Sequence, residues 1–490
     1  MYQTRRIHIK KNHPAYNYFV QNTTGSRAVR NTVNFLIRNT MTGIQKSPEE
    51  RTHHETEVLH MVFTSIQKLN AARKAKDPDK KLIPYPTAKK WMLSYEVLDA
   101  IMKYTKNESY YSCTSQVNQQ AIRKTCKAWK SYFSLLKTWK QNPSSLNGKP
   151  KIPGYIRSKQ ATAHFTNQIC KCEKRNGNLY ISFACLGAFC FGSEQVLPGE
   201  FVKAEVKPYH GDFMFLLTYQ TTEEEPKRQE HPERILGIDI GLQNFLTCAD
   251  NTGNTPFIIS GGWMKAQNQW FNKRRAFLVS QLTKGKGNKH SQKDSKALQA
   301  LSRKRDDRLR DFFYKSAYFV CRKCKDRDIQ TIVIGHNKAQ KQGSDLGSVT
   351  NQNFISIPFT QFISCLKTVA AHFGIVVIER EESYTSKANI FQQDPIPTYK
   401  KNMDIQTAFT GKRPKRGLYC ADDGKQINAD VNGACNILRK EFPYAFHDID
   451  LSYLTKTVDR IKGETILGIK HKENKAPKRS LISETEKKAA

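Results

Sequence analysis

The chain has 490 residues, with 80 Lys plus Arg against 44 Asp plus Glu, a net charge of +36 and 38 % hydrophobic residues. That balance excludes wholesale disorder and leaves material for sizeable cores, while so large an excess of one sign works against a compact chain unless a polyanion neutralises it, so nucleic acid is the expected partner. No apolar run approaches the ~18 residues of a spanning helix, and Met1 is followed by charged and polar residues, so no membrane segment or leader is expected and the 12 cysteines are read as free thiols of a reducing compartment.

Met1 to Lys10 alternates polar and apolar residues, the pattern of a half-buried strand, and stops at His13-Pro14. From Ala15 to Gln141 the pattern is helical. Its clearest segment is Gln119 to Lys140, where Ile122, Cys126, Trp129, Phe133 and Leu136 form one apolar face and Lys127 and Lys130 lie off it among basic residues that lack acidic partners one turn away. Those lysines are candidate phosphate contacts. Asn142 to Tyr155 is broken by Pro and Gly and marks a boundary. Short strand-prone runs follow at Ala161–Asn167, Leu179–Phe183, Phe201–Val206 and Phe213–Tyr219, as in a small antiparallel barrel or sheet that the first strand could join.

After a polar linker, Ile235 to Gly241 (ILGIDIG) reads as a buried strand carrying one acid, Asp239, with Phe245 to Cys248 as the return strand of a hairpin. A carboxylate inside such a strand needs a metal or a paired network to offset its burial. Further strands are expected near Pro256–Ile259, at Thr331–Ile334 and at Ile375–Ile378, with helices over Trp263 to about Asp326 and over Ile357–Phe373, and a late helix, Val431–Lys440, opened by Asp430. An antiparallel hairpin followed by alternating helices and strands fits a ribonuclease H-like layered architecture, in which carboxylates from strand ends and a late helix converge. Convergence of that kind is what two-metal phosphodiester hydrolysis requires.

The stretches Gly237–Gly241 (GIDIG), Thr331–Lys338 (TIVIGHNK), Glu381–Ala388 (EESYTSKA) and Ile427–Ala434 (INADVNGA), together with Asn118–Tyr155, resemble the transposon-encoded TnpB proteins, RNA-guided DNA endonucleases related to type V CRISPR effectors and to Fanzor proteins. The resemblance implies a multidomain α+β and α/β chain. Residues 1–14 and 142–225 would be a β-barrel-like wedge domain, 15–141 an inserted helical recognition domain, 232–440 a RuvC nuclease domain with a basic insertion at 387–429, and 441–490 a largely disordered basic tail. It also implies a guide RNA and a target DNA as partners and two Mg²⁺ ions as cofactor. Of the three acids of the family site, Asp239 matches the first and Asp430 the last. The family's middle glutamate falls where this chain has Gly335, so the acid is expected to be relocated to Glu381, or else to Glu382 beside it. If neither serves, the protein would bind a guided target without cutting it; a further alternative is a RuvC-type nuclease that needs no guide.

A zinc site is not expected. Between Lys387 and Asp430 only Cys420 stands where the family has two Cys pairs, and Cys321 and Cys324 lie on an apolar helical stripe with Leu309, Phe312, Phe313, Ser316 and Val320. The segment 387–429 is read instead as a basic loop carrying Lys412, Arg413 and Arg416, and Arg303, Arg305 and Arg308 beside the Leu309 stripe as a surface for a guide–target duplex, which such proteins hold by shape and phosphates. Lys284 to Lys296 reads as a flexible basic loop. Neither the guide sequence nor the number of copies in the assembly is written in a readable motif, and the compartment follows the host, cytoplasm in a prokaryote or nucleus for a Fanzor-like protein.

Overall fold

The computed structural model describes residues 1–146, 148–184, 186–284, 294–336, 357–398 and 408–469. The chain divides into two compact units, Met1–Glu224 and Glu225–Ala490. The expected flexible loop at 284–296 and the tail from 470 onward fall largely or wholly outside the described residues.

In the first unit, strand β1 (Tyr2–Ile9) precedes five helices, α1 (Tyr16–Gly43), α2 (His53–Lys76), α3 (Tyr95–Tyr104), α4 (Glu108–Tyr111) and α5 (Ser115–Gln141). Six strands follow: β2 (Ala163–Thr166), β3 (Cys170–Arg175), β4 (Asn178–Phe183), β5 (Gly187–Ser193), β6 (Glu200–Tyr209) and β7 (Asp212–Gln220). The first strand returns across the whole helical segment to pair antiparallel with β7, from Tyr2 opposite Gln220 to Ile9 opposite Phe213. Because the buried face of β7 is almost continuously apolar, this register places Ile9 and Phe213 in one core with Phe19, Phe165, Phe183 and Phe215. A second core, built on Val33, Ile37, Val62, Ile101, Ile122 and Trp129, holds the helices together. The α5 stripe is fully buried at Ile122 and Trp129, and the Trp129 indole donates to Asn34 Oδ1 at 2.9 Å.

The barrel expectation does not hold. Among the described residues the strands form two open sheets, ordered β1-β7-β6-β2 and β3-β4-β5. Two of those strands were not anticipated: β3 (CKCEKR) and β5 (GAFCFGS) lack a clean alternation of apolar and polar residues, and β5 buries only Phe191.

The second unit is built on a six-stranded sheet ordered β12-β11-β8-β9-β10-β16. Its strands are β8 (Ile235–Ile240), β9 (Asn244–Asp250), β10 (Phe257–Ser260), β11 (Thr331–Gly335), β12 (Val376–Arg380) and β16 (Asp459–Ile461). The β8–β9–β10 meander is antiparallel, whereas β11 runs parallel to both β8 and β12. Helices α6 (Gly262–Thr283) and α7 (Lys296–Asp326) correspond to the helical region expected from Trp263 to about Asp326, on either side of the loop read at Lys284–Lys296, and α8 is Phe359–His372. The predicted α7 stripe is core: Leu309, Phe312, Phe313, Val320, Cys321 and Cys324 are all buried, so the two cysteines are packing residues, and burial pushes the Cys321 thiol up to about 12. On the opposite face of the sheet lies α9 (Ala429–Glu441), whose Ala434, Ile437 and Leu438 pack with Ile235, Ala249 and Val333. Gly237 on β8 permits this approach, since a Cβ there would run into the backbone of Ala434.

Two further expectations are corrected. The segment 387–429 is not a plain loop: where it is described it forms a small antiparallel sheet, β13 (Gly411–Lys415), β14 (Leu418–Ala421) and β15 (Gln426–Asn428), seated on Tyr419 and Ile427, which are buried in the core of α9. The segment from 441 to 469 is ordered. Tyr453 and Leu454 are buried, Asp459–Ile461 adds β16 to the main sheet parallel to β10, and α10 (Gly463–Leu467) follows; enough apolar residues lie among the charges to anchor the segment.

Candidate active site

Asp239 stands near the end of β8. The parallel pairing of Ile238 with Ile334 and of Gly335 with Arg380 puts Asp239, Gly335 and the end of β12 side by side on neighbouring strands. From below, α9 contributes Asp430 in its first turn, where the side-chain oxygen of Asn428 caps the helix by accepting from the Asp430 and Val431 amides at 3.0 and 3.3 Å. The next turn of that helix carries Gly433, where a Cβ would lie 2.9 Å from Asp239 Oδ2. The helix therefore approaches the strand carboxylate closely because it presents no side chain there.

The acid that reaches Gly335 is Glu382. A Cβ on Gly335 would lie 2.9 Å from Glu382 Oε2 and 2.5 Å from Ile437 Cδ1, so the Glu382 head group occupies space that any side chain at 335 would need. Burial first, then the negative charges of Glu382 and Asp430, push the half-buried Asp239 carboxyl up to about 8, with Arg413 opposing. Glu382 is pushed up to about 7 by burial and by the charge of Glu381, with Lys440 opposing. Two acids raised this far beside a third are a site short of positive charge.

Glu381, the acid preferred from strand parity, faces elsewhere. Its Oε2 accepts from Lys440 Nζ at 2.5 Å and its Oε1 from the Ser383 amide at 2.7 Å, and although burial opposes its ionisation these bonds hold it below the usual carboxylate range. Strand β12 ends at Arg380, so the period-two alternation on which the choice of Glu381 rested does not extend to either acid. Glu379 is also committed away from the site, to Lys367 at 2.7 Å and His336 at 3.3 Å.

Asp430 Oδ2 accepts from Asn244 Nδ2 at 2.6 Å, Asn244 in turn accepts from Arg460 at 3.3 Å, and Arg413 reaches Asp430 Oδ1 at 3.4 Å. Arg413, expected to contact nucleic acid, is thus drawn to the acids. The candidate ligands Asp239, Glu382 and Asp430 are all carboxylates, a set that suits a hard divalent cation such as Mg²⁺ rather than a thiolate-preferring metal.

Residues 218–340 match the family model OrfB_IS605, "Probable transposase", and residues 359–437 match "Cas12f1-like, TNB domain". The chain is TnpB-like. The first match spans Asp239 and Gly335, and the second spans Glu382, Arg413 and Asp430. No curated protein matches the sequence. Among solved structures, the chain is similar to one described as "Cryo-EM structure of the Cas12f1-sgRNA-target DNA complex", at 13% identity over 89% of this chain and 98% of that one with a TM-score of 0.47. It is also similar to "Structure of the mini-RNA-guided endonuclease CRISPR-Cas_phi3", at 10% identity over 94% of each chain with a TM-score of 0.42.

The other basic residues singled out in this TnpB-like chain are spread over different surfaces. Lys127 and Lys130 are exposed on α5, and Lys412 and Arg416 are exposed on β13 and the turn after it. Arg303 sits half-buried on α7. Arg305 and Arg308 tie α7 to α6: Arg305 donates to Asn268 Oδ1 at 3.1 and 3.0 Å and lies over Phe271, and Arg308 donates to Gln267 at 2.8 Å. What the sequence reading missed is the support around the acids, namely Asn244, Gly433 and Lys440. A signal for the last existed, because Asn432, Asn436 and Lys440 recur every fourth residue along α9.

Proposed function

We propose that this chain is an RNA-guided DNA endonuclease that cuts phosphodiesters at Asp239, Glu382 and Asp430. The observation that carries the reading is the convergence of these three acids from a strand end, the turn after a neighbouring strand and a late helix. The β10-β9-β8-β11-β12 order, with an antiparallel meander continued by parallel strands, supports a RuvC-type, ribonuclease H-like layout for that unit. Glu382 takes the role the family gives to a glutamate at 335, with Glu381 as the alternative.

Divalent metal, Mg²⁺ in this reading, would supply a nucleophilic water and stabilise the leaving oxygen. The chain's own part is positional. Asp239, Glu382 and Asp430 would hold the metal on one face; Asn244 keeps Asp430 turned inward; and Arg413, on a strand at the rim, would exchange its carboxylate for a phosphate of the incoming strand. Residues 15–141 are read as a recognition domain for guide RNA and target DNA, set into a wedge formed by 1–14 and 142–225, and 387–429 as a nucleic-acid-facing insertion. The net charge of +36 supports two polyanionic partners.

The testing experiment is cleavage of a plasmid library, randomised beside the target, by protein purified with its co-expressed RNA, in Mg²⁺ and in EDTA. Metal-dependent cuts confined to guide-matched plasmids establish the function and yield the adjacent motif. Guide-dependent retention without cutting makes the protein a binder, and cutting without regard to the guide makes it an unguided nuclease.

A further inference from the structure

Lys440, near the end of α9, has a side chain only 2 % exposed, yet it makes no contact with Asp239 or Asp430 among the bonds it forms. Its ammonium donates to Glu381 Oε2 at 2.5 Å, to the Ser383 carbonyl at 2.8 Å and to the Pro397 carbonyl at 3.2 Å. Those three acceptors match the three hydrogens an ammonium carries. Two of them, Glu381 and Ser383, flank Glu382 in sequence.

The same face of α9 continues the attachment toward its N-terminus. Asn436 donates to the Thr385 carbonyl at 2.9 Å and the Ala388 carbonyl at 2.6 Å. Asn432 donates to the Ala388 carbonyl at 2.8 Å and accepts from the Ile390 amide at 3.1 Å. One helix therefore holds the segment from Glu381 to Ile390 through a polar stripe at every fourth residue, and its first turn carries Asp430.

We propose that Lys440 is a positioning residue for metal binding: by clamping Glu381 and Ser383 on one side of the turn after β12, it directs the intervening Glu382 to the other side, into the space beside Gly335 and toward Asp239. The two adjacent acids thus divide the labour, Glu381 as the anchor and Glu382 as the ligand. This rests on Asp239, Glu382 and Asp430 forming the cutting site.

Three variants of the full chain test it: Glu381→Gln, Lys440→Met and Glu382→Gln. Each is assembled with guide RNA to measure the Mg²⁺ concentration giving half-maximal cutting, and is also measured without RNA for the rise in thermal midpoint caused by Mn²⁺. Removing a residue that orients a metal ligand typically weakens metal affinity by roughly tenfold or more. Glu381→Gln and Lys440→Met are therefore expected to raise the half-maximal Mg²⁺ concentration by about that factor and to shrink the Mn²⁺ response, with guide-dependent DNA retention unchanged. A purely structural role would lower the metal-free midpoint but leave both metal responses as in the wild type, and that result overturns the proposal. Should Lys440→Met fail to fold, Glu381→Gln decides, because that side chain is 35 % exposed and tolerates the change. If Glu382→Gln is inactive while the other two keep wild-type metal dependence, the positioning role alone fails. If Glu382→Gln cuts normally, the assignment of the site fails, and the positioning role with it.

Discussion

Glu382 and Gly335 share one volume: the carboxylate oxygen Oε2 of the first lies 2.9 Å from where a Cβ on the second would stand. In the proposed reading the glycine leaves the room that a relocated acid fills. Gly335→Ala should push Glu382 or Ile437 aside, lowering stability by about 1–3 kcal/mol for an overpacked core and reducing cutting more than guided binding. Thermal melting and plasmid cleavage of the same preparation check both effects. Gly335→Glu in a Glu382→Ala background returns a carboxylate to the same volume, and partial recovery of cutting is expected there but not with Gly335→Glu alone.

Removing charge without changing shape separates cutting from binding. Asp239→Asn, Glu382→Gln and Asp430→Asn should each abolish metal-dependent cleavage, since among the described residues the neighbouring acids are committed elsewhere: Glu379 to Lys367 and His336, and Glu381 to Lys440. Retention of guide-matched DNA should stay at the wild-type level. Cutting by any one of the three at the wild-type rate would remove that residue from the site.

Much of this was readable from spacing. The single acid in ILGIDIG signalled Asp239, because a carboxylate in a strand with three of its neighbours wholly buried has to be matched by something, and the Asn428–Asp430 opening of α9 is a capped helix start. Choosing between Glu381 and Glu382 was not readable. Period-two parity holds only inside a strand, β12 stops at Arg380, and the side on which each acid emerges is decided by Lys440, some 60 residues away in sequence and bonded to Glu381 across 59 positions. That the first strand could join the later ones was legible from its alternation, but its partner β7 and their register were not, because they lie beyond the entire helical segment. Arg305 looked like a phosphate ligand because composition cannot tell a basic side chain facing solvent from one bonded to a buried asparagine such as Asn268.

The carboxylate pair also predicts a pH dependence. Asp239 is raised to about 8 and Glu382 to about 7, against about 3.9 and 4.3 for unperturbed Asp and Glu. Folding therefore favours their protonated forms. The stability they contribute is complete below about pH 4 and is lost as the pH rises through 7 and 8. In EDTA, the thermal midpoint of the protein should fall between pH 6 and pH 8.5. Asp239→Asn should flatten that fall, and Mg²⁺ should remove most of it by favouring the ionised acids. Because metal displaces those protons, Mg²⁺ addition to weakly buffered protein should release acid at pH 6.5 and almost none at pH 9.

Charge on α5 and charge on α7 should behave differently. Lys127 and Lys130 are exposed on α5 and free to meet phosphate, whereas Arg305, only 14% exposed, donates to Asn268 Oδ1 at 3.0 Å and stacks over Phe271. If the lysines neutralise phosphates, Lys127→Ala with Lys130→Ala should weaken nucleic-acid binding and reduce the slope of log affinity against log salt by roughly 0.7–0.9 per lost contact, leaving the melting transition in place. Arg305→Ala should instead destabilise the α6–α7 pairing by about 1.5–3 kcal/mol, the range for hydrogen bonds to charged groups, with little change in salt slope. Filter binding across a salt series, paired with denaturation of the RNA-free chain, distinguishes the two. An unchanged slope for the double lysine variant would move the phosphate-contacting surface off α5, and a slope lost in Arg305→Ala at unchanged stability would return it to α7.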